Sequence, residues 1–257
     1  MQGLITVLGS GTSTGVPTLG CGCAVCHSPD PRDQRLRPSL WLHYGGHDVV
    51  IDTTPDFRTQ ALRAGIPALD ALLFTHSHAD HIMGLDDIRP FNFGRPEPLP
   101  VYGNAATITD LRRVFRYVFE PASQAGTSLP RIATHVISGA VELFGVGFEP
   151  VRALHGTLEV LGYRFGSCAY VTDFSEIPAT GLEQLRGLDV LILDALRRRP
   201  HPTHSNLENS LRLVGQLAPR RAWFTHIAHE LSHAATEATL PAGVHLAWDG
   251  LEVEADF

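Results

Sequence analysis

Residues 75–81 read Thr-His-Ser-His-Ala-Asp-His and place three imidazoles close to one carboxylate. They follow a short apolar run, which predicts a strand. Because side chains alternate along a strand, His76 and His78 point to one side, and a turn can bring Asp80 and His81 to face the same space. Imidazole and carboxylate together suit zinc, manganese or iron. One catalytic ion keeps a position open and needs fewer ligands, so the motif predicts two ions.

Three further polar residues stand where an apolar, strand-like run ends. The runs and the residues that follow them are 146–154 with His155, 168–172 with Asp173, and 222–225 with His226. Loops held by rigid strands are where functional groups usually lie. One such residue alone is typical of a capping or surface position. The repeated pattern indicates one shared site.

This ordered set resembles the metallo-β-lactamase superfamily of hydrolases, whose signature is H-x-H-x-D-H followed by His, Asp and His. The resemblance covers nearly the whole chain and implies a four-layer αββα sandwich. It implies one ion held by His76, His78 and His155, a second held by Asp80, His81 and His226, and a bridge at Asp173. Many members have Asp-x-Gly where this chain has Asp52-Thr53-Thr54.

Three of the four cysteines lie within six residues, at Cys21, Cys23 and Cys26. Closely spaced thiolates commonly bind a structural zinc, which requires four ligands in a closed shell. His229, three residues after His226, is the favoured fourth ligand, and Cys168 is the alternative. A disulfide is a further alternative, which the tight spacing disfavours.

A Cys-x-Cys-x-x-Cys loop on such a core resembles the PhnP-like phosphodiesterases, which are related to the tRNA-processing RNase Z enzymes. The matching segments are 9–26, 75–84, 202–207 and 225–229. The resemblance implies hydrolysis of a small phosphodiester such as 5-phosphoribosyl 1,2-cyclic phosphate. It also implies manganese or zinc at the paired site, a homodimer, and a catalytic role for His204 without metal ligation.

The expected chemistry follows from two ions a few ångströms apart, which can lower the pKa of a shared water toward neutrality. The hydroxide would attack phosphorus in line with the leaving oxygen. Asp80 would orient the nucleophile in addition to binding an ion. His204 would stabilise the phosphoryl charge or protonate the leaving alkoxide.

The composition agrees with one hydrolase domain spanning residues 1–257. The chain is 44% hydrophobic and 18% charged, with a formal net charge of −7. The negative balance argues against a long polyanion bound along a basic face, so we expect a small-molecule substrate rather than nucleic acid. No apolar run reaches the roughly 20 residues of a membrane helix. Sparse cysteine and the absence of a signal-peptide pattern predict a cytoplasmic protein.

Strand-like and helical runs alternate, which predicts a mixed α/β chain. Helices are predicted at 56–64, 105–117, 176–186, 206–217 and 229–238. Strands are predicted at 4–8, 40–43, 48–52, 71–74, 99–102, 135–137, 148–151, 160–165, 169–172, 190–193 and 222–225. The proline-rich start of 86–131 reads as an ordered loop, whose Arg89, Phe91, Asn92 and Arg95 either line the pocket or cover the core.

Three alternative functions stay open. A tRNA 3′-processing nuclease would share the seven ligands, but no basic arm stands out. A lactonase or thioesterase of the same fold fits the cysteine loop and His204 less well. A non-enzymatic, metal-bound accessory protein should have lost ligands, whereas this set is complete.

Overall fold

The computed structural model describes residues 1–120 and 129–257, and within them the chain forms two sheets of seven strands each. In chain order the first six strands are β1 (Gln2–Gly9), β2 (Ser39–Tyr44), β3 (His47–Ile51), β4 (Ala71–Leu73), β5 (Leu99–Gly103) and β6 (Ile132–Val136). The others are β7 (Val141–Leu143), β8 (Val146–His155), β9 (Leu158–Phe165), β10 (Cys168–Val171), β11 (Val190–Asp194), β12 (Arg221–Thr225), β13 (Val244–Leu246) and β14 (Glu252–Asp256). The sheet orders are β14-β1-β2-β3-β4-β5-β6 and β13-β12-β11-β10-β9-β8-β7.

The described α-helices are short and connect these strands. They are α1 (Phe57–Ala64), α2 (Ala79–Ile82), α3 (Ala105–Val114), α4 (Arg116–Phe119), α5 (Ala179–Gln184), α6 (Leu207–Leu217) and α7 (His233–Glu237). Two 3₁₀ helices span Pro31–Asp33 and Leu85–Asn92. Within this described part of the chain, no helix combines the length and apolar character needed to cross a membrane.

Apolar side chains fill three layers. The middle layer lies between the two sheets and contains residues of both, among them Leu42 and Tyr163. The outer layers lie under the helices, where α1 and α3 cover one sheet and α6 covers the other. Strands covered on both faces read as continuous apolar runs, and all five residues of β11 are buried. The predicted αββα sandwich is therefore confirmed.

The strand directions position the functional residues. β3, β4, β5 and β6 run parallel in one sheet, and β10, β11, β12 and β13 run parallel in the other. Parallel strands bring their carboxyl ends to the same edge of a sheet, where ligands usually bind. The loops that leave β4, β10 and β12 therefore open at the sheet edges that carry the predicted ligands.

Helices 56–64 and 206–217 form almost as predicted. Asp56 precedes α1, and Gly65 ends it in the left-handed conformation that favours glycine. Asn206 caps α6 by accepting a hydrogen bond from the Asn209 amide.

The other three predicted helices differ from the structure. The helix predicted at 105–117 is interrupted at Phe115, where φ is −102° and ψ is 40°. The helix predicted at 176–186 begins only at α5, because the Glu176 backbone pairs with Leu154. The helix predicted at 229–238 is reduced to α7, because Arg35 binds the carbonyls of Ala228 and Leu231.

Other sequence-based boundaries were also wrong. The predicted loop at the start of 86–131 contains the 3₁₀ helix Leu85–Asn92, which accommodates Pro90. Residues 121–128 of that stretch lie outside the described residues. The short strands β7, β13 and β14 were not predicted.

Candidate dinuclear metal centre

The loop between β4 and α2 carries the first four predicted ligands. His76 lies in the loop itself, and His78 is the N-cap residue of α2. Asp80 and His81 lie within that helix. Gly84 lets this segment pack against the loop after β3, since a Cβ at that position would lie 2.0 Å from the carbonyl oxygen of Thr54. The glycine thus allows a close approach that no side chain permits.

Four candidate ligand atoms converge from helix α2 and from the loops after β10 and β12. The donor atoms of Asp80, His81, Asp173 and His226 all lie within 4.8 Å of one another. Nε2 of His81 is 3.3 Å from Oδ2 of both Asp80 and Asp173. Nε2 of His226 is 3.1 Å from the other Asp173 oxygen, Oδ1. Asp173 therefore stands between two imidazoles, as a bridging carboxylate requires.

The other three predicted ligands form a neighbouring group of imidazoles. The ring of His78 lies 4.6 Å from that of His76 and 5.1 Å from that of His155, centre to centre. Nδ1 of His155 donates to the carbonyl oxygen of Thr203 at 2.7 Å. That bond fixes the tautomer and leaves Nε2 with a lone pair for a metal ion.

The donor set fits metal ions because its nitrogens lack other partners. The Nε2 atoms of His76, His81 and His226 are buried and make no hydrogen bond of good geometry among the described residues, although those of His81 and His226 lie close to carboxylate oxygens. Buried polar atoms are seldom left unsatisfied, so such atoms point to an absent ligand. Asp52 accepts a 2.7 Å hydrogen bond from Nδ1 of His81, which turns Nε2 toward the other ligands.

The electrostatics of the group also suit cations. Burial opposes charge, yet the imidazoles of His226 and His81 hold the pKa of Asp173 well below its usual range. Burial lowers the pKa of His226, but Asp173, Asp80 and Asp194 outweigh it and raise that pKa to about 10. Burial also lowers the pKa of His81, but Asp173, Asp80 and Asp52 outweigh it and raise that pKa well above its usual range. In the metal-free protein, the positive charge of these two imidazoles would therefore balance the carboxylates, as bound cations would.

Three residues of the centre hold a strained backbone. Asp52, Asp173 and His226 have φ values of 65°, 56° and 57°. Asp52 and His226 directly follow the last residue of a strand, and Asp173 lies two residues after the end of β10. Left-handed backbone is unfavourable for residues with a side chain and persists where the surroundings enforce it, often at functional sites. The common conformation turns all three side chains sharply at a strand end.

His204 joins the centre through a carboxylate that sequence reasoning missed. Nδ1 of His204 lies 3.1 Å from Oδ2 of Asp194, the fully buried last residue of β11. The His204 ring also stacks on His226 at 4.7 Å and contacts His155 at 4.4 Å. Asp194 ends an apolar run as Asp173 does, so the same pattern could have identified it.

The cysteine loop forms a separate group of four ligands. The donor atoms of Cys21, Cys23, Cys26 and His229 lie within 4.8 Å of one another. Nδ1 of His229 is 3.2 Å from Cys21 Sγ and 3.3 Å from Cys23 Sγ. Hydrogen bonds from the Cys26 backbone and from His229 lower the pKa of Cys23 to about 6, which favours the thiolate.

The alternative fourth ligand, Cys168, lies elsewhere. It is buried in β10 with a pKa that burial raises to about 12, so it has the character of an inert core thiol. All four cysteines are free. The structure therefore gathers three thiols and one imidazole, the donor set of a closed zinc site.

Arg35 connects this group to the rest of the fold. Its guanidinium is fully buried, pairs with Asp33 at 2.8 Å and donates to the carbonyl oxygens of Leu231 and Ala228. These carbonyls flank His229, and that histidine follows His226 by three residues. One short segment thus serves both groups of ligands, and Arg35 holds it.

The four residues suggested for the pocket wall lie apart from the ligands. Arg89 and Phe91 line a separate surface cavity of about 610 Å³. Asn92 accepts a hydrogen bond from the Arg131 amide, and Arg95 pairs with Asp70. These residues cover the core and the surface, which agrees with the second of the two interpretations.

Known proteins resemble this chain in both sequence and fold. The Beta-lactamase superfamily domain matches residues 47–227. A crystal structure described as a new diphosphatase from the PhnP family is 53% identical, with 99% of this chain and 98% of that chain covered and a TM-score of 0.94. A Ribonuclease Z of Mycolicibacterium paratuberculosis is 27% identical over 71% of this chain and 70% of its own length.

A curated relative carries a different name. A protein of Porphyromonas gingivalis called Octanoyltransferase is 39% identical over 97% of this chain. The chain spans only about half of that relative, 51% of its length.

The superfamily match covers most of the chain. The 53% sequence identity to the diphosphatase, over nearly the full length of both chains, is far higher than proteins need in order to share a fold. The seven candidate ligands of the dinuclear centre lie within the superfamily match at 47–227, and the similarity to the diphosphatase covers 99% of the chain. On this evidence the chain belongs to the metallo-β-lactamase superfamily, in its PhnP family, and is a metal-dependent hydrolase.

Proposed function

We propose that the protein is a dinuclear-metal-dependent phosphodiesterase that hydrolyses a small diester such as 5-phosphoribosyl 1,2-cyclic phosphate. The observation that carries the proposal is the pair formed by His204 and Asp194 beside the seven ligands. Such a pair would provide a proton donor next to a phosphoryl group bound at the metal centre. The chain is also 53% identical to a PhnP-family diphosphatase, which supports phosphate-ester chemistry.

The residues would divide between two ions as the family pattern implies. His76, His78 and His155 would hold one ion, Asp80, His81 and His226 the other, and Asp173 would bridge them. Bound manganese or zinc ions would supply Lewis-acid activation of water and neutralise charge on the phosphoryl oxygens. The thiolate group would hold a structural zinc through Cys21, Cys23, Cys26 and His229.

The chain's own groups would manage orientation and protons. Asp80 would accept a hydrogen bond from the attacking water and fix its direction. His204 donates Nδ1–H to Asp194, which leaves Nε2 as the atom that faces a substrate. From there His204 would stabilise the phosphoryl charge or protonate the leaving oxygen.

A disubstituted diphosphate is a second candidate substrate, favoured by the description of the 53% identical relative as a diphosphatase. Its phosphorus atoms each carry one negative charge and two ester-type substituents, as in a phosphodiester. The Ribonuclease Z relatives suggest precursor tRNA as a further substrate. It is a weaker candidate than a small phosphate ester, because a chain of net charge −7 is poorly suited to binding a long polyanion. Octanoyl transfer is named only for a protein about twice as long.

The test is purification with metal analysis, followed by assay of one panel. The panel contains bis-p-nitrophenyl phosphate, cyclic ribose phosphates, cyclic nucleotides, adenosine diphosphate ribose, precursor tRNA, lactones and thioesters. Turnover of one or more small phosphodiesters, with two ions bound besides a tightly held zinc, is the expected result. Hydrolysis of lactones or thioesters without any phosphodiester would contradict the proposal.

A further inference from the structure

The loop between β11 and α6 carries a second histidine next to His204. The ring of His201 lies 5.0 Å from that of His204, centre to centre. His204 in turn contacts the rings of His226 and His155, whereas in the described structure His201 makes no ring contact with either. His201 therefore stands one imidazole further from the metal ligands than His204.

His201 is held with one nitrogen engaged and the other available. The backbone N–H of Thr203 donates to Nδ1 of His201 at 3.3 Å, and the Thr203 hydroxyl lies at the same distance. A backbone N–H can only donate, so Nδ1 is the acceptor and the neutral ring carries its hydrogen on Nε2. Among residues 1–120 and 129–257, Nε2 has no hydrogen-bond partner. The loop thus offers an oriented donor.

The same loop is basic and is tied down. Three consecutive arginines occupy positions 197–199. The Arg197 guanidinium donates to the carbonyl oxygens of Arg199 and Pro200, which fixes the backbone just before His201. Glu230 pairs with Arg199 at 2.8 Å and lies 3.7 Å from Arg197, so one carboxylate faces two cations. The remaining positive charge favours an anion near His201.

We propose that His201 forms a subsite for the leaving phosphate of a disubstituted diphosphate. The inference rests on the proposed function, since it assumes attack on a phosphorus atom at the metal centre. His204 would lie beside the bridging oxygen that departs, and Nε2 of His201 would donate to a non-bridging oxygen of the departing phosphate. A sugar leaving group in that place would carry no anionic phosphate for the basic loop to bind.

The reaction balances without another reactant. The water oxygen forms a bond to the attacked phosphorus, and the bond from that phosphorus to the bridging oxygen breaks. The bonding electrons stay on the bridging oxygen, which becomes part of a phosphate monoester. The two protons of the water pass to the two monoester products or to solvent, so one diphosphate and one water give two monoesters.

The experiment compares two substrates on metal-loaded, full-length His201→Leu enzyme. Adenosine diphosphate ribose has a leaving phosphate, and bis-p-nitrophenyl phosphate has none. The matched control is His43→Leu, which removes a half-exposed histidine on β2 that pairs with Asp48. Metal content and the melting temperature are measured for each protein, so that misfolding is recognised.

We expect kcat/KM for adenosine diphosphate ribose to fall by roughly 10- to 100-fold in His201→Leu, the effect of losing one hydrogen bond to a charged group. The value for bis-p-nitrophenyl phosphate should stay within about twofold, because the loop contact is not used. Inhibition of that second reaction by methyl phosphate should also weaken. An inhibition constant does not depend on the amount of active enzyme. It therefore reports on the subsite even if only part of the variant is folded.

Equal losses on both substrates would overturn the inference and make His201 a residue that positions His204. Wild-type enzyme that cleaves bis-p-nitrophenyl phosphate but no diphosphate would also overturn it, and the proposed phosphodiesterase function would stand. Wild-type enzyme that cleaves neither would contradict the proposed function itself. The two failures are therefore distinguishable.

Discussion

Asp194 and His204 form a pair in which a carboxylate oxygen lies 3.1 Å from Nδ1 of the imidazole. Asp194 is fully buried, and burial raises its pKa, although the hydrogen bond with His204 opposes that rise. The pair has the geometry in which a carboxylate fixes one imidazole tautomer and leaves the distal nitrogen for a substrate. On this basis we expect His204 to act on the substrate and not as a metal ligand.

The first prediction tests this expectation with His204→Ala. We expect both metal ions to remain and the rate to fall by roughly 10²–10⁴-fold on a diester with a poor leaving group, such as a sugar alkoxide. The loss should be smaller when p-nitrophenolate leaves, because that anion departs without a proton. Rates on the two substrate classes and metal content are the measurements, with His43→Ala as the control. Loss of an ion would make His204 a ligand.

The second prediction concerns the bridging carboxylate. Asp173→Ala should release one or both ions and reduce turnover to background, because Asp173 is the residue within 3.3 Å of both His81 and His226. Elemental analysis after gel filtration checks the metal content. Glu142→Ala, which removes an exposed carboxylate on β7, should keep both ions. A variant that retains two ions and normal turnover would show that another residue bridges.

The third prediction concerns the thiolate group. Cys23→Ser should lose the tightly held zinc and lower the melting temperature, since a structural zinc contributes directly to folding. Cys168→Ala is the matched control, because it removes a buried thiol outside the group and should leave the zinc content unchanged. A folded, zinc-replete Cys23→Ser protein would be inconsistent with a Cys₃His site.

The fourth prediction concerns protons released when the dinuclear centre binds metal. Burial lowers the pKa of His226, but Asp173 and Asp80 outweigh it and raise that pKa to about 10, against 6.5 for an ordinary histidine. We therefore expect its ring to be protonated at pH 7–8 in the metal-free protein. A metal ligand must be neutral, so binding should release on the order of one to two protons from His226 and His81. Calorimetry in buffers of different ionisation enthalpy measures that number.

The same shift fixes the direction of two pH effects. Metal affinity should rise with pH until His226 loses its proton near pH 10. The stability that protonated His226 gives the metal-free protein should be full below pH 6.5 and disappear as pH rises through about 10. Heats of metal binding that do not depend on the buffer would contradict this account.

Sequence could predict the candidate ligands that the structure brings together, because each of them ends an apolar run or sits in one compact motif. The sandwich followed from resemblance to the family, whereas periodicity alone indicated only a mixed α/β chain. Asp194 carries the same strand-end signal and was overlooked because its partner lies ten residues along a loop. Arg35 could not be predicted, because the carbonyls it binds are 193 and 196 residues away. The helix predicted at 229–238 was too long for the same reason, because the hydrogen bonds from Arg35 to these carbonyls prevent its first turn from forming.

The four-residue segment from His226 to His229 has a consequence for synthesis on the ribosome. Cys21 lies 208 residues before His229, so the N-terminal thiols emerge long before the imidazole that completes their group. His226, which the metal loop at 76–81 also requires, emerges at nearly the same moment. Neither group of candidate ligands can be complete until translation reaches this segment. During that interval the nascent chain exposes three free thiols to oxidants and to whatever metals the cell supplies.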